Sequence, residues 1–539
     1  MAGAVDRPAG QLNRLPRRLV VALATPPTVV IVGFVVVPAL VLAVRTVDAG
    51  AIGDALGSRR VLSIAWFTVW QAVLTTVVTL AVGMVPAYVL ARRRFRGRTL
   101  IRTLVVVPFM LPTVVTGAAF LALLPDSARG TWWAVVVAHS YVNLAVVVRV
   151  VGSAWETLPH DLTASARTLG ASPWNVARHV VAPLLAPATV AAGAIVFLFA
   201  ATSFGIVQLL GDGSTTTIEA EVARRALRYG DVGGAVVLSV AQLLVLGSVA
   251  VATSRRQRRS AHTLRGDARP RPARRGIPRV RALSIAAVTA ILVAGPLVML
   301  CAASFRNAGG WTSRAWTSWG SGSIRPGISL GVDPWSAIRA SVVTAVVATS
   351  IATVVGVLAA LAVTEMRRGG QWLDTGIMLP LGISGVTVGL GMLVTFAVPP
   401  FDWRGQWWLV PVGHALIGLP FVARVALPRI RSIHPDQRSA ALLLGASPTR
   451  AWWETTVRRV APALGPAVAL AAAASLGEFG ATTLLSRSGS DTLPLAIAGL
   501  LTRPGDLPRS QGFALAVVLM CVTAVLVSLA EGRTDARHR

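Results

Sequence analysis

Few residues of this chain stand where they could do chemistry. The first is Glu478, a carboxylate inside the apolar run Ser475-Leu476-Gly477-Glu478-Phe479-Gly480-Ala481-Thr482. An ionisable side chain in such a run is costly, so it marks either a polar pathway or a local hydrogen bond to Thr482 or Thr483 one helical turn on. Both roles are open. His139 and His414 lie in two other apolar runs without a metal-binding spacing such as His-Glu-x-x-His, so packing is their expected role. Cys301 and Cys521 also fall in apolar segments, which points to packed thiols rather than a disulfide or metal framework. No lysine occurs anywhere in the 539 residues, so the lysine-bearing phosphate loop of P-loop ATPases is excluded. The expectation is a chain with no catalytic residue, no metal and no cofactor.

A second set of residues is polar and appears twice. Leu169-Gly170-Ala171-Ser172-Pro173 in the first half returns as Leu444-Gly445-Ala446-Ser447-Pro448 in the second. Each copy follows a small-residue segment, Thr163-Ala164-Ser165-Ala166-Arg167 or Arg438-Ser439-Ala440-Ala441-Leu442, and leads to Ala182-Pro183 or Ala461-Pro462. Asp161 and Asp436 are expected to cap a short helix, which Gly170 or Gly445 stops in a left-handed corner. Ser172 and Ser447 then cap a second helix whose first position is proline. A single copy would read as an ordinary helical hairpin, but two copies at matched positions make a dedicated element.

The elements that must position these residues are membrane spans. With 54% apolar and only 14% charged residues, and a mean hydropathy of +0.66, most of the chain cannot face water. Crossing ~30 Å of hydrocarbon takes roughly 20 apolar residues. That length predicts twelve helices, over residues 19–44, 64–91, 101–124, 132–152, 184–209 and 233–253, then 282–303, 335–363, 374–398, 408–428, 463–485 and 511–530. The first is too long for a secretory signal and leads into further spans, so it reads as a retained helix. Trp132-Trp133 and Trp407-Trp408 stand at span starts, where headgroup anchoring explains them better than an aromatic cage for a cation.

The net charge of +29 is carried by arginine, concentrated in short loops. Arg92, Arg93, Arg94, Arg96, Arg98 and Arg102 crowd the loop after the second span, whereas Asp126 and Arg129 are the charges after the third. The positive-inside rule then places both termini in the cytoplasm and accounts for the basicity without a nucleic-acid partner. Residues 254–281 carry eleven arginines and three prolines with almost no apolar periodicity, and are expected to be a disordered cytoplasmic linker. The predicted organisation is a tail over 1–18, a transmembrane domain over 19–253, this linker, a second transmembrane domain over 282–530 and a tail over 531–539. The fold class is all-α: twelve transmembrane helices as two parallel six-helix repeats.

Spacing supports the repeat. Arg149 and Arg424, Gly170 and Gly445, and Phe204 and Phe479 are each 275 residues apart, while Pro183 and Pro462 are 279 apart, as if the second copy held one extra turn. Pro108 matches Pro380 and Gly117 matches Gly389.

The duplicated passage resembles the cytoplasmic motif of ABC importer membrane subunits, Glu-Ala-Ala, three residues, Gly, about nine residues, then an apolar residue and Leu-Pro. In that family the two short helices dock into a cleft on a separate ATPase subunit. The resemblance assigns ATPase coupling to Ala164, Ala166, Leu169, Gly170 and Pro183, and to Ser439, Ala441, Leu444, Gly445 and Pro462. The motif glutamate is absent, replaced by Ala164 and Ser439. Two finer stretches, Thr202-Ser203-Phe204-Gly205 with residues 216–223, and Ser475–Thr482 with Thr492-Leu493-Pro494, are similar to thiamine permeases, and the second also to molybdate and sulfate permeases. The resemblance implies a translocation path beside Ser203, Phe204, Glu478 and Phe479. It also implies an ABC ATPase dimer and an extracytoplasmic solute-binding protein as partners, beside membrane lipid, in a bacterial cytoplasmic membrane. A carboxylate in the path favours a cation such as thiamine or complexed ferric iron over a molybdate or sulfate oxyanion. The rival class is an ion-coupled secondary transporter, which would need no docking helices and would carry several buried charges.

Overall fold

The computed structural model describes residues 15–45, 57–93, 95–260, 279–319, 333–366, 368–487 and 491–535, with residues 53, 323–325 and 328–329. Arg94, residues 1–14, most of the expected linker (261–278) and the last four residues lie outside the described residues.

Most of the described residues are helical. In order it forms α1 (Arg17–Arg45), α2 (Arg59–Arg92), α3 (Arg98–Met110), α4 (Thr113–Leu123), α5 (Trp132–Thr157), α6 (His160–Thr168), α7 (Pro173–Ala201), α8 (Gly205–Leu210), α9 (Ile218–Arg224) and α10 (Val232–Ser260). The second half gives α11 (Arg279–Ser304), α12 (Pro334–Glu365), α13 (Gly370–Met378), α14 (Gly385–Thr395), α15 (Leu409–Arg431), α16 (Pro435–Leu443), α17 (Pro448–Ala463), α18 (Gly465–Gly477), α19 (Gly480–Leu485), α20 (Leu493–Leu501) and α21 (Asp506–Asp535). Two antiparallel two-stranded ribbons follow α11, the first pairing Arg306 with Trp311 and Asn307 with Gly310.

Among the described residues nine helices are long and apolar enough to cross a membrane, or eleven if each bent pair counts as one span. The expected count of twelve spans is therefore not reached among the described residues, where several of the spans are broken. The span expected over 101–124 bends by 104° between α3 and α4. The cause is local: Leu111 precedes Pro112, and a residue before proline is pushed to extended backbone, here ψ 147°. Its counterpart over 374–398 breaks at Ile383 and restarts at Ser384, whose hydroxyl accepts from the Thr387 amide at 3.1 Å. The fifth and eleventh spans break as well, at residues 202–204 and 478–479.

Two compact units arise, and each takes segments from both sequence halves. One comprises residues 1–47, 334–495 and 521–539; the other comprises 48–333 and 496–520. In the first unit α1 packs on α12 and α14: Phe34 meets Phe396 at 5.3 Å between ring centroids, and Ile31 and Leu42 are buried. In the second, α11 packs on α3 and α4, and the Tyr141 hydroxyl donates to the Val293 carbonyl at 2.8 Å. Each unit thus covers its core with the leading helix of the other sequence half, so its bounds differ from the domains read along the chain.

Within each unit a short helix after a break lies close against the start of another. A Cβ on Gly205 would fall 2.9 Å from the Val114 amide nitrogen, and one on Gly480 would fall 2.8 Å from that of Val386. Only glycine fits there, so α8 nests on α4 and α19 on α14 in equivalent ways. Gly117 and Gly389, matched by sequence, sit at the same two crossings.

Candidate functional site

The duplicated passages form the expected corner. Gly170 and Gly445 have φ of +83° and +86°, in the left-handed region. The Gly170 amide donates to the Arg167 carbonyl and the Ala171 amide to that of Ala166, each at 3.0 Å. Gly445 to Leu442 and Ala446 to Ala441 repeat the pattern at the same distances. This double bond is the Schellman closure of a helix, and it explains why Ala166 and Ala441 occupy equivalent places. Ser172 Oγ accepts from the Asn175 amide at 3.2 Å and Ser447 Oγ from the Arg450 amide at 3.3 Å, each before a proline at the first helical position. Asp161 and Asp436 do not cap. The cap positions are Pro159 and His434, and both aspartates lie one step inside the first turn, where they still favour the positive end of the helix.

Each corner is exposed and braced. Leu169 is 88% exposed, and Leu443 and Leu444 are 89% exposed, an unusual placement for leucine beside a polar turn. Arg438 Nη1 meets Glu365 Oε1 at 2.9 Å, tying α16 to the end of α12. Arg98 and Arg102 both reach Glu156 at the end of α5, just before α6. The helix after each corner carries a wide turn, at residues 177–181 and 453–457, an offset of 276. Because the offset stays at 275–276 from the corner to the break, no turn is inserted. Pro462 is in register with Pro187, inside α7, and Pro183 with Arg458.

The second pair of sites is the broken corner. Ser203 and Phe204 lie at the break after α7, 6% exposed each, and among the described residues Ser203 Oγ finds no partner. In the other unit Glu478 has extended backbone at the end of α18, and its carboxylate turns onto the start of α19, accepting from the Ala481 amide at 2.9 Å. It also lies against Gly385, the first residue of α14, where a Cβ would overlap it. The carboxylate therefore faces the positive ends of two helices. Thr482 Oγ1 donates to the Glu478 carbonyl at 3.1 Å, rather than to its side chain.

His414 holds this break, a role that packing alone did not foresee. It is 1% exposed, with Nδ1 3.0 Å from Ser475 Oγ before the break and Nε2 2.7 Å from Thr482 Oγ1 after it. His414 thus hydrogen-bonds a hydroxyl on each side of the break. His139, 275 positions earlier, is wired differently: Nδ1 pairs with Gln71 Oε1 at 3.1 Å, and Gln71 Nε2 donates to the Ala200 carbonyl at 3.0 Å. A matched pair of histidines was visible in the sequence; the hydroxyl and amide partners, far away along the chain, were not.

Sequence reasoning held Glu219 and Glu221 only within the stretch 216–223 and gave them no role of their own; both are 1% exposed on α9. Glu219 Oε1 accepts from Gln242 Nε2 at 2.6 Å, and Glu221 pairs with Arg224 and Arg225. Nearby, Asp212 accepts from the amides and hydroxyls of Ser214 and Thr215, and those bonds lower its pKa to about 2. Among the described residues no three of His, Cys, Asp and Glu converge as metal ligands.

Residues 80–259 and 352–534 match the family described as binding-protein-dependent transport system inner membrane component. The chain is 26% identical over 90% of its length, and 90% of the relative's, to a probable ABC transporter permease of Sinorhizobium fredii. It is 24% identical to the thiamine transport system permease of Salmonella typhimurium, covering 88% of this chain and 89% of the relative. A putative 2-aminoethylphosphonate transport system permease of Salmonella paratyphi A is 34% identical over 36% of this chain and 74% of its own.

Proposed function

Given that the chain belongs to the binding-protein-dependent inner-membrane permease family, and so is a multi-pass ABC importer subunit, we propose how its parts divide the work. The two glycine corners dock an ATPase dimer in the cytoplasm. Residues Ala164, Ala166, Leu169, Gly170 and Pro183, with Ser439, Ala441, Leu444, Gly445 and Pro462, form or support that surface. Both termini share the side of the arginine-rich loops. A solute-binding protein delivers its ligand to the opposite side, and ATP-driven closure below biases each unit between two packings. The chain hydrolyses no ATP itself. The observation that carries this is the duplicated Schellman corner, with Leu169, Leu443 and Leu444 exposed beside it.

We place Ser203 and Phe204 of one unit, and Glu478 and Phe479 of the other, beside the path of the solute. A thiamine-type solute is supported by the whole-length likeness to a thiamine permease. Glu478 supports it less than its charge implies, because its carboxylate is engaged at two helix starts. A second reading, a phosphonate-type solute, is favoured by the higher identity of the phosphonate relative. The test is reconstitution with ATPase and binding protein in liposomes, followed by uptake of labelled thiamine, ferric iron, molybdate and 2-aminoethylphosphonate. Uptake that needs both ATP and the binding protein is expected. Uptake by the chain alone from an ion gradient would overturn the mechanism.

A further inference from the structure

We propose that a cavity at the end of the first unit away from Gly445 is a binding site for a small oxyanion of the phosphonate, phosphate or sulfate kind. α12 begins at this cavity and ends, ~48 Å on at 1.5 Å per residue, at the Glu365 ion pair that braces the docking corner. The cavity is about 390 Å³ and is lined by Arg339, Arg487, Ser336, Gln406, Trp407 and Leu485 among others, with no carboxylate among the described lining residues. That is the size of an ordinary small-ligand site.

The arginines decide the ligand class. Arg487 is held in place: its Nη2 donates to the Arg404 carbonyl at 2.9 Å, and its guanidinium lies on Gly405, where any Cβ would overlap it. Gly405 itself has φ +87°, so the turn needs glycine twice over. The acidic residue of this turn, Asp402, is paired with Arg404 at 3.1 Å. Arg339 projects from α12 into the same recess. Two guanidiniums with hydroxyl and amide donors fit an oxyanion in a bidentate way and repel a cation. Two sources share this chemistry, a dissolved oxyanion and the phosphodiester of a lipid headgroup, the latter because Trp407 is 66% exposed where an interfacial anchor would sit.

Binding is read without ATP or transport, so failure here leaves the importer mechanism standing, and the converse holds. The full chain with its ATPase in phosphatidylcholine nanodiscs is titrated by calorimetry with sulfate, phosphate and 2-aminoethylphosphonate. Retention of phosphatidylglycerol is measured in parallel by native mass spectrometry. Saturable binding of a soluble oxyanion, weakened at least tenfold by Arg339→Gln and by Arg487→Gln, is expected. Phosphatidylglycerol retention lost in the same variants would assign the site to the lipid headgroup. Should those variants not fold, Arg339→Lys and Arg487→Lys keep the charge but lose the fork, and should also weaken binding. Absence of both ligands from the unaltered protein, or binding unchanged in the variants, overturns the proposal.

Discussion

Replacing His414 by alanine tests how the broken helix at Glu478 is held. The substitution removes both bonds that straddle the break. Ser475, 3% exposed, loses its partner, and an unmet buried hydroxyl costs ~1–3 kcal/mol. Thr482 keeps its bond to the Glu478 carbonyl, so its loss is nearer the net ~1 kcal/mol of one hydrogen bond. Together the segment 478–485 should open ~3 kcal/mol more easily, about a hundredfold in population. Hydrogen exchange on the reconstituted complex reads this directly: amides of α19 should exchange about a hundredfold faster while those of α16 stay as they were. His414→Gln offers one donor and one acceptor to the same hydroxyls, and should restore most of the protection. His139→Ala should leave α19 unchanged, because its partners are Gln71 and, beyond it, Ala200. Unaltered exchange of α19 in a properly inserted His414→Ala protein would refute the bracket.

A Cβ at Gly445 would meet no neighbour within 4 Å, so the cost of Gly445→Val is set by the left-handed backbone, ~1 kcal/mol or more. It should abolish stimulation of the ATPase by solute while membrane insertion, followed by fluorescence-detection chromatography, stays normal; Gly170→Val should act likewise. Glu478→Gln keeps an acceptor for the Ala481 amide and should retain uptake, whereas Glu478→Ala should lose it in the same liposome assay. Asp212 has a lowered pKa, so its hold on Ser214 and Thr215 is complete above about pH 4 and fades as pH falls towards about 2. At neutral pH, Asp212→Asn should therefore raise amide exchange at 214 and 215 by a modest factor.

What the sequence displayed and what it concealed divide along one physical line. Helix-forming apolar runs, the glycine corners and their serine caps all depend on residues within a few positions of one another, and each is present in the structure. The breaks were locally encoded too, by Leu111 before Pro112 and by Gly205 and Gly480, but hydropathy averages over a window and so joined the pieces into continuous spans. The apparent extra turn at Pro462 came from pairing the wrong prolines, since Pro187 holds the equivalent place.

The functional bonds belong to the other kind. His414 reaches residues 61 and 68 positions away, Gln71 reaches Ala200, and Arg438 reaches Glu365, so no spacing rule could find them. The same distance rule explains the two halves' divergence. The local frame of each broken corner is kept, glycine on helix start, while the long-range partner has changed from Gln71 on α2 to Ser475 and Thr482 across the break. Glu478 occurs where the second half has no Gln71-like support: Ser203 stands in its place in the first half, and the break there is steadied from α2 instead. A carboxylate facing two helix starts is thus the counterpart of an amide bridge. On this argument the charge of Glu478 belongs first to the architecture of the corner, and solute selectivity must be sought in residues that bear charge without such an engagement.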